Sequence, residues 1–410
     1  MLSVQDAQQK ILSRFELLEK EYVPLGDSAG RILAESIRSD SDLPAFNNSS
    51  MDGFAVFAAD VLAASPDQPK SLKVVADIPA GSAANIIISP GQAARIMTGA
   101  PIPTGTDAVV MVENTDFNLG TAGEAAPRDV VIFKSVHPGE NVRRKGSDIK
   151  SGQEILPAAR ILQSQDIGML AMLGLAKVPV RRKPRVAIVS SGDELLPVGM
   201  ALEPGKIYDS NTHMLASLAR KAGCEVLRLG VAADRYEAVK QLLDEAADFI
   251  PDLIVSSAGV SVGAFDYVKD VVESEGTLNF WKVDMRPGKP LAFGEYRGIP
   301  FFGLPGNPVS SFVGFLVFVQ PALERLSGGE TAAKARVKVI LAEDVESDGR
   351  ESYLRVVVSR QDGVFVAKLT GHQGSGNLFS LVQANALLII PSGVKSCPPG
   401  SEAIAWLLES

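Results

Sequence analysis

The sequence predicts a multidomain fold: a helical module with a β-rich insert, a central mostly parallel α/β sandwich and a small β-barrel-like domain. A chain of 410 residues is too long for one hydrophobic core, which indicates roughly two to four domains. Between residues 181 and 328, strand patterns alternate with helix patterns, as in a parallel sheet covered on both faces. From residue 329 to 410, short alternating strands indicate an all-β domain.

The first predicted element is an amphipathic helix. Ser3 is a candidate N-cap, and the acidic residue Asp6 follows three positions later, as in a capping box. Apolar residues then recur at the spacing of one helix face, at Val4, Ala7, Ile11, Phe15 and Leu18. The pattern therefore predicts a helix that extends to Leu18.

Residues 45–137 are predicted to form a β-rich inserted domain, because short apolar runs such as DAVVMVE and DVVIFK alternate with Gly and Pro turns. Helix patterns flank this insert, so 1–44 and 138–180 are predicted to form one discontinuous helical module. The basic stretch VPVRRKPR (178–185) is interpreted as a solvated linker to the α/β domain. A nucleic-acid patch is the less favoured alternative, since the chain as a whole is acidic.

Composition narrows the class of partners. The net charge of −8 argues against general affinity for nucleic acid or for an anionic membrane. Cys224 and Cys397 provide no disulfide framework and no cysteine metal site, which fits a reducing compartment. The sequence starts with no charged segment followed by an apolar one, and FVGFLVFV is too short to cross a bilayer. We therefore expect a cytoplasmic protein.

Three predicted strands of the α/β domain end in polar loops: VAIVSSGDEL, LIVSSAGVSVG and FFGLPGNPVSS. In an open parallel sheet, ligands bind beyond the carboxyl ends of the strands. Each loop brings hydroxyls, glycine and free backbone amides to that edge, a combination that suits a phosphate-like anion. One such loop is more often an ordinary turn, but three on one sheet favour an anion site.

The third loop has features that helix capping alone does not explain. Ser310 and Ser311 can cap the following helix while they face a ligand. Pro305 and Pro308 stiffen the turn, and Gly306 permits a close approach of the backbone. The paired prolines favour a turn that holds a ligand.

A second candidate anion site is the stretch WKVDMRPGKP. Lys282, Arg286 and Lys289 flank the rigid Pro287–Gly288 turn. Arginine offers a forked contact to a tetrahedral oxyanion and lysine a point charge. A solvated basic turn explains the same residues equally well.

Acidic residues beside glycine-containing turns suggest a Mg²⁺ site, because this cation prefers oxygen ligands and substrate phosphates. Many single aspartates in such turns are only caps. The three histidines are scattered, without the spacing of a zinc site. The candidate acids are Asp52, Asp148, Asp193, Glu194 and Asp266.

Eight stretches, taken in order, resemble the motifs of molybdopterin molybdenumtransferases, the MoeA family, which is related to the E domains of gephyrin and of plant molybdenum insertases. The resemblance runs from the first helix to the β domain. The stretches are LPAFNNSSMDGFAV, RIMTGAPIPTGTDAVVMVE, PGENVRRKGSDI, PRVAIVSSGDEL, GKIYDSN, SAGVSVGAFDYV, RPGKP and GLPGNPVSS.

The resemblance implies a homodimeric molybdenum insertase. Such an enzyme transfers molybdate into adenylylated molybdopterin (molybdopterin-AMP) and hydrolyses the adenylate with the help of Mg²⁺. The molybdopterin adenylyltransferase is a further candidate partner. Two other readings stay open: a non-catalytic scaffold that binds the adenylate, and a paralogue that handles tungstate. An adenylyltransferase is disfavoured, because members of that family usually lack the amino-terminal and tail domains.

By motif position, the resemblance implies roles for individual residues. The catalytic acids are Asp52, Asp148, Glu194 and Asp266, of which Glu194 and Asp266 hold the metal. Molybdate contacts Arg286, Lys289, Arg355 and Ser375. The substrate-binding residues are Ser190, Ser191, Gly192, Asp193, Asp209, Asn211, Ser257, Gly259, Ser261, Gly263, Lys282, Pro305, Gly306, Asn307, Pro308 and Ser310.

The sequence departs from the family pattern at several of these motifs. Family members usually carry Asp, Glu, Gly and Asp where this chain has Asn47, Ser147, Ala258 and Ala264. Arg286 replaces the usual lysine and keeps its charge. Because the four catalytic acids are retained, catalysis is favoured over a scaffold.

Overall fold

The computed structural model describes residues 1–82, 85–117, 125–257, 267–329 and 336–408. Backbone contacts divide the chain into two compact units. The first unit contains Met1–Glu35, Ala158–Ala171 and Leu175–Ser410, and the second contains Ser36–Pro157 and Met172–Gly174. The predicted division into four domains stays a prediction.

The first part of the chain consists mostly of short strands. Its elements are α1 (Val4–Leu12), β1 (Lys20–Pro24), β2 (Ile37–Arg38), β3 (Asn48–Ser49), β4 (Gly53–Val56), β5 (Lys70–Ile78), β6 (Gln92–Ile96), β7 (Ala108–Met111), β8 (Asp129–Ile132), β9 (Val142–Arg143), β10 (Glu154–Leu156), α2 (Ser164–Met172) and β11 (Lys177–Arg181). The flanking module is thus less helical than its pattern predicts, since only α1 and α2 are α-helices in its described part.

Helix α1 is shorter than its apolar spacing predicts. The Ser3 hydroxyl accepts a hydrogen bond from the Asp6 amide (3.0 Å), as expected for an N-cap. The helix ends at Leu12, yet Phe15 and Leu18 beyond it are still buried. The Phe15 ring stacks on Phe302, with 6.2 Å between ring centroids. The segment after the helix is therefore not helical, but it still places Phe15 and Leu18 in the core that α1 contacts.

The interpretation of VPVRRKPR as a solvated linker is wrong. Strand β11 pairs antiparallel with β1, and Val178 and Val180 are fully buried. The Arg182 guanidinium donates to both carboxylate oxygens of Asp252 at 2.8 and 2.9 Å, and to Glu19 at 2.5 Å. The first half of this stretch is thus part of strand β11, and Arg182, which follows the strand, is held by two acids.

The second unit contains a five-stranded sheet in the order β7-β4-β6-β5-β8. Its core is apolar and includes Phe54, Val110 and Ile132. At Gly53 a Cβ atom would lie 1.9 Å from the Val110 carbonyl oxygen, so only glycine fits there. The β-rich prediction for this region is confirmed, although the unit begins and ends outside 45–137.

The central region alternates strands and helices, as the sequence predicts. Its elements are β12 (Arg185–Ser191), β13 (Leu195–Leu196), β14 (Ile207–Tyr208), α3 (Asn211–Lys221), β15 (Glu225–Ala232), α4 (Tyr236–Asp248), β16 (Leu253–Ser256), α5 (Tyr267–Glu275), β17 (Gly276–Lys282), β18 (Met285–Arg286), β19 (Pro290–Tyr296), β20 (Ile299–Gly303), α6 (Pro308–Gly314) and α7 (Gln320–Ser327). A π-helical segment, Phe315–Val319, joins α6 to α7.

The six-stranded sheet of this region has the order β15-β12-β16-β20-β19-β17. The first four strands run parallel, and β19 is antiparallel to both of its neighbours. Helices α1, α3, α6 and α7 share a core with one face, and α4 and α5 share a core with the other. The prediction of a mostly parallel sheet covered on both faces is confirmed.

Among the described residues, one helical segment is long and apolar enough to cross a membrane. It runs from Pro308 to Ser327, and 72% of its 18-residue window is buried inside the protein. Such burial is typical of the core helix of a globular domain.

The last region forms a closed barrel. Its elements are β21 (Arg336–Leu341), β22 (Val345–Glu346), β23 (Glu351–Gln361), β24 (Val364–Leu369), α8 (Leu378–Gln383), β25 (Ala386–Ile390), β26 (Ser396–Cys397) and β27 (Glu402–Leu407). The ring closes because β23 pairs with both β24 and β25. Strand β18 of the central region adds parallel to β23, which joins the RPGKP turn to the barrel.

Candidate functional site

The predicted anion loops meet at the carboxyl edge of the parallel sheet. Strands β12, β16 and β20 are parallel neighbours, so their following loops leave from the same edge. The Ser190 and Ser257 hydroxyls lie 2.8 Å apart, and both residues are buried. Lys282 lies at this edge too, because it ends β17 opposite Pro290, where β19 begins. The sheet therefore brings the starts of the three predicted loops and one predicted cation to the same edge.

The turn before α6 is held by neighbouring groups. The Asn211 Nδ2 donates to the Gly306 carbonyl oxygen at 2.7 Å, and the Ser311 hydroxyl donates to the Pro305 carbonyl oxygen. The predicted capping role of Ser311 is therefore wrong, since its hydroxyl fixes the turn instead of the helix amides. Asn307 occupies the N-cap position, and its side chain makes no capping bond.

Two features of this turn leave room and bonding capacity for a ligand. Among the described residues, a Cβ atom at Gly306 would meet only the Ser257 carbonyl oxygen, at 3.8 Å. The Oδ1 of Asn211 is buried without a hydrogen-bond partner among the described residues. A buried polar atom without a partner is costly, and a ligand that donates a hydrogen bond would satisfy it.

A third carboxylate joins Asp193 and Glu194 at this edge. Asp234 follows β15, and its amide donates to the Asp193 carboxylate at 3.1 Å. Burial raises the pKa of the Asp234 carboxyl, and the nearby charges of Asp193 and Glu194 raise it further. The sequence analysis missed Asp234, although its position directly after a strand at the ligand edge was the available signal.

We expect Asp234→Asn to stabilise the protein at about pH 7. Below the ordinary carboxyl pKa of 3.8 the aspartate is protonated in both states, so its cost is absent. As the pH rises through that value towards the raised folded pKa, the wild type loses stability and the amide variant does not. Urea unfolding at about pH 3 and pH 7 measures this difference. Glu203→Gln, an exposed residue with the same charge change, is the control, and equal gains in both variants would contradict the prediction.

Asp209, a predicted substrate contact, has a structural partner. It is buried, and its carboxylate accepts hydrogen bonds from the amide (3.0 Å) and hydroxyl of Thr212 in α3. These bonds fix the start of the helix that carries Asn211. Asp209 therefore positions α3, and with it Asn211, at the edge of the candidate site.

The cationic turn and the barrel come together beside α6. Arg286 lies in β18, next to Ser352 of β23. A Cβ atom at Gly288 would lie 3.6 Å from the Ser310 carbonyl oxygen, which places the turn against α6. The Ser375 carbonyl oxygen accepts a hydrogen bond from the Val309 amide at 3.0 Å. Arg286, Ser310 and Ser375 are thus brought to one end of α6.

Arg355 is the most unusual residue of this cluster. Its side chain is fully buried on β23, where it donates to the Ser380 hydroxyl at 3.1 Å and the Gly374 carbonyl oxygen at 3.0 Å. No described carboxylate forms an ion pair with it. Burial, followed by the nearby charge of Arg286, lowers the pKa of Arg355 to about 10, so it remains a cation at neutral pH. The hydrogen bond from Arg350 and, to a smaller extent, the charge of Arg286 lower the pKa of Asp348. That carboxylate is paired with Arg350, so Arg286 and Arg355 remain a candidate site for an anion.

The predicted acids of the second unit have local partners. Asp52 accepts hydrogen bonds from the Thr98 amide at 2.6 Å and the Thr98 hydroxyl at 2.7 Å. The hydroxyl of Ser147 donates to Asp148 at 2.9 Å and, together with Arg143, lowers the pKa of that carboxyl. Ser147, which departs from the family pattern, thus makes a local hydrogen bond. Asn47, another departure, also accepts a hydrogen bond from the Lys145 amide at 2.8 Å.

Several predicted positions lie outside the described residues. These are Ala258, Gly259, Ser261, Gly263, Ala264 and Asp266. Within the described ranges, no group of three or more His, Cys, Asp or Glu side chains is suited to hold a metal. Mg²⁺ commonly binds one or two carboxylates together with substrate phosphates, so Glu194 at the acidic sheet edge fits such a role.

The sequence matches three family models that together cover most of the chain. They are the MoeA N-terminal region (domain I and II) over residues 2–174, a probable molybdopterin binding domain over 187–325, and the MoeA C-terminal region (domain IV) over 338–408. A molybdopterin molybdenumtransferase from Nostoc sp. is 39% identical and is aligned over 100% of this chain and 94% of its own. The chain belongs to the MoeA family.

Further relatives support membership in the MoeA family over the full length. A molybdopterin molybdenumtransferase 2 from Mycobacterium tuberculosis is 37% identical, with 99% of each chain covered. The crystal structure of a MoeA protein from Pyrococcus horikosii matches with a TM-score of 0.85 at 33% identity, with 100% of each chain covered. The fold predicted from the sequence is confirmed by these matches.

Proposed function

We propose that this MoeA family member is a molybdenum insertase. It transfers molybdate into adenylylated molybdopterin and hydrolyses the adenylate, a late step of molybdenum cofactor biosynthesis. The observation that carries the proposal is the pair Arg286 and Arg355, two neighbouring cations with no acid paired to Arg355. The names of its relatives, molybdopterin molybdenumtransferases, support the same activity.

The residues of the chain divide into two groups with different tasks. Arg286, Arg355 and Ser375 bind and orient the molybdate oxyanion, with Lys289 as a further cation. The hydroxyls of Ser190 and Ser257 and the turn at Gly306 hold the adenylate at the sheet edge. This arrangement keeps the oxyanion and the adenylate at neighbouring places around α6.

Hydrolysis of the adenylate requires a water molecule to attack phosphorus. Glu194, with Asp266 as its predicted partner, accepts the proton of that water as the new phosphorus–oxygen bond forms. The bond from the adenylate phosphorus to the bridging oxygen then breaks, so that this oxygen leaves with molybdopterin phosphate and AMP carries the oxygen of the attacking water. When bound by these carboxylates and the substrate phosphates, Mg²⁺ would neutralise negative charge on the phosphate oxygens.

We expect Asp266→Asn to abolish most of the AMP release while the protein remains folded. The change removes an ionised oxygen ligand from a hard cation, so Mg²⁺-dependent turnover should fall about hundredfold or more. The assay mixes the purified chain with molybdopterin-AMP, molybdate and Mg²⁺ and quantifies AMP, with thermal unfolding measured in parallel. Asp270→Asn, in the following helix α5, is the matched control. A fully active Asp266→Asn enzyme with unchanged Mg²⁺ dependence contradicts the role.

The same assay separates the alternatives. A scaffold would bind molybdopterin-AMP without releasing AMP. A tungstate-handling paralogue would release AMP at lower tungstate than molybdate concentrations. Either outcome would replace the proposed molybdate insertase.

The homodimer, the cytoplasmic location and the adenylyltransferase partner are further parts of the proposal. A stretch between β13 and β14 exposes several apolar side chains, among them Val198, Met200 and Leu202. Exposed apolar clusters often mark protein interfaces, which supports self-association. Light scattering of the purified chain measures its mass, and a mass of one chain would contradict the dimer.

A further inference from the structure

A second cationic site lies far from the candidate active site. A cavity of about 330 Å³ opens at the amino edge of the parallel sheet, where the chain enters β12. Among the described residues, its walls contain no carboxylate but five cationic side chains: Arg31, Arg181, Arg182, Lys183 and Lys221. Cavities of this volume accept small organic ligands.

The arginines of this cavity are held in place by the fold. Arg181 donates to the carbonyl oxygens of Leu18 at 2.9 Å and Ala34 at 3.4 Å. Arg31 donates to the Arg181 carbonyl oxygen at 2.8 Å and forms an ion pair with Glu21. Because these side chains are already ordered, an anion would bind them without a large loss of conformational entropy.

The positive charges of the cavity are not fully balanced. Arg31 pairs with Glu21, and Arg182 pairs with Asp252 and Glu19. Arg181, Lys183 and Lys221 form no ion pair with any described residue, but Arg182 pairs with two acids, so five cations face three carboxylates and about two positive charges remain. The carboxyl ends of α3 and α7 lie nearby, but each helix end supplies only about half of a negative charge. The helix ends therefore balance about one of the two remaining charges.

The cavity is distinct from the predicted molybdate and adenylate sites. It lies at the beginning of β12, whereas Ser190 and Ser191 lie at its end. A strand of seven residues at about 3.3 Å per residue separates the two edges by roughly 20 Å. A ligand of the size of this cavity cannot reach both places.

We propose that this cavity binds a small phosphorylated molecule with about two negative charges, as a ligand separate from the substrates. Its phosphate groups contact Arg181, Lys183 and Lys221, and Ile32 and Pro184 pack against its uncharged part. The walls come from the amino-terminal segment around Arg31 and from the α/β region. Binding therefore ties these segments together and stabilises the folded protein.

Inorganic pyrophosphate, tested without Mg²⁺ on the full chain, is the first probe, and AMP is the second. We expect calorimetry to show binding that Lys183→Gln/Lys221→Gln weakens at least tenfold, because two charge-assisted contacts are lost. The exposed pair Lys338→Gln/Lys368→Gln changes the net charge equally and should bind as the wild type does. Thermal unfolding should show the same ranking of ligand-induced stabilisation.

Other variants separate this proposal from the proposed molybdate site. Arg286→Gln should leave pyrophosphate binding at the cavity intact, and Lys183→Gln/Lys221→Gln should leave molybdate insertion intact. Equal weakening in both lysine pairs would overturn the proposal in favour of unspecific attraction. Loss of binding in Arg286→Gln alone would place the anion at the molybdate site, and absence of binding by both probes would also overturn it.

Discussion

Arg355→Gln is expected to lower molybdate-dependent activity about hundredfold or more while the protein stays folded. The guanidinium is fully buried, lies near Arg286 and has no paired carboxylate among the described residues. A lost contact between a charged donor and an oxyanion costs about 1.5–3 kcal/mol, and glutamine removes a forked contact. The folded protein should tolerate the change. The variant loses the hydrogen bonds to Ser380 and Gly374, but it also avoids the energetic cost of burying an unpaired charge.

A molybdate titration of AMP release measures this effect, with urea unfolding measured on the same preparations. Arg286→Ala should raise the molybdate concentration for half-maximal activity at least about tenfold, because one charged contact is removed. Arg360→Gln, an exposed residue on the same strand as Arg355, is the matched control and should behave as the wild type. An Arg355→Gln protein with normal molybdate dependence would show that this arginine serves only the fold.

Replacement by alanine should have different effects at two glycines of the α/β region, on stability at Gly294 and on substrate binding at Gly306. At Gly294 a Cβ atom would lie 1.8 Å from the Thr277 carbonyl oxygen, in the middle of the β17–β19 pair. The strands must separate to admit the methyl group, so Gly294→Ala should lower the free energy of unfolding by about 3 kcal/mol or more. At Gly306 the nearest atom of the described part of the chain would be 3.8 Å away, so Gly306→Ala should fold normally.

Gly306→Ala should instead affect the substrate. The methyl group would be added at the turn that Asn211 holds, where the adenylate is proposed to bind. We expect the KM for molybdopterin-AMP to rise about tenfold with little change in urea unfolding. A Gly306→Ala protein that loses stability, or one with an unchanged KM, would contradict the proposed position of the ligand.

Much of the candidate site was predicted from local patterns, and the parts that were missed depend on distant contacts. The loops after β12, β16 and β20 were identified because a strand followed by glycine, serine or proline is visible in the sequence itself. Asp234 was missed because its importance depends on β15 lying beside β12. The structural partner of Asp209, Thr212 at the start of α3, also appeared only in three dimensions.

By itself the sequence determined the fold class, the edge of the sheet that carries the loops and, through its motifs, the family. These properties depend on residues close together in the chain, since burial on one face imposes a period of two or 3.6. Tertiary structure alone decided that helix α1 ends at Leu12, that the basic stretch after α2 begins as the paired strand β11, and that Arg286 lies close enough to Arg355 to lower its pKa. The pairing of β18 with β23 joins segments far apart in the chain, and hydrogen bonds between such segments leave no local periodicity to read.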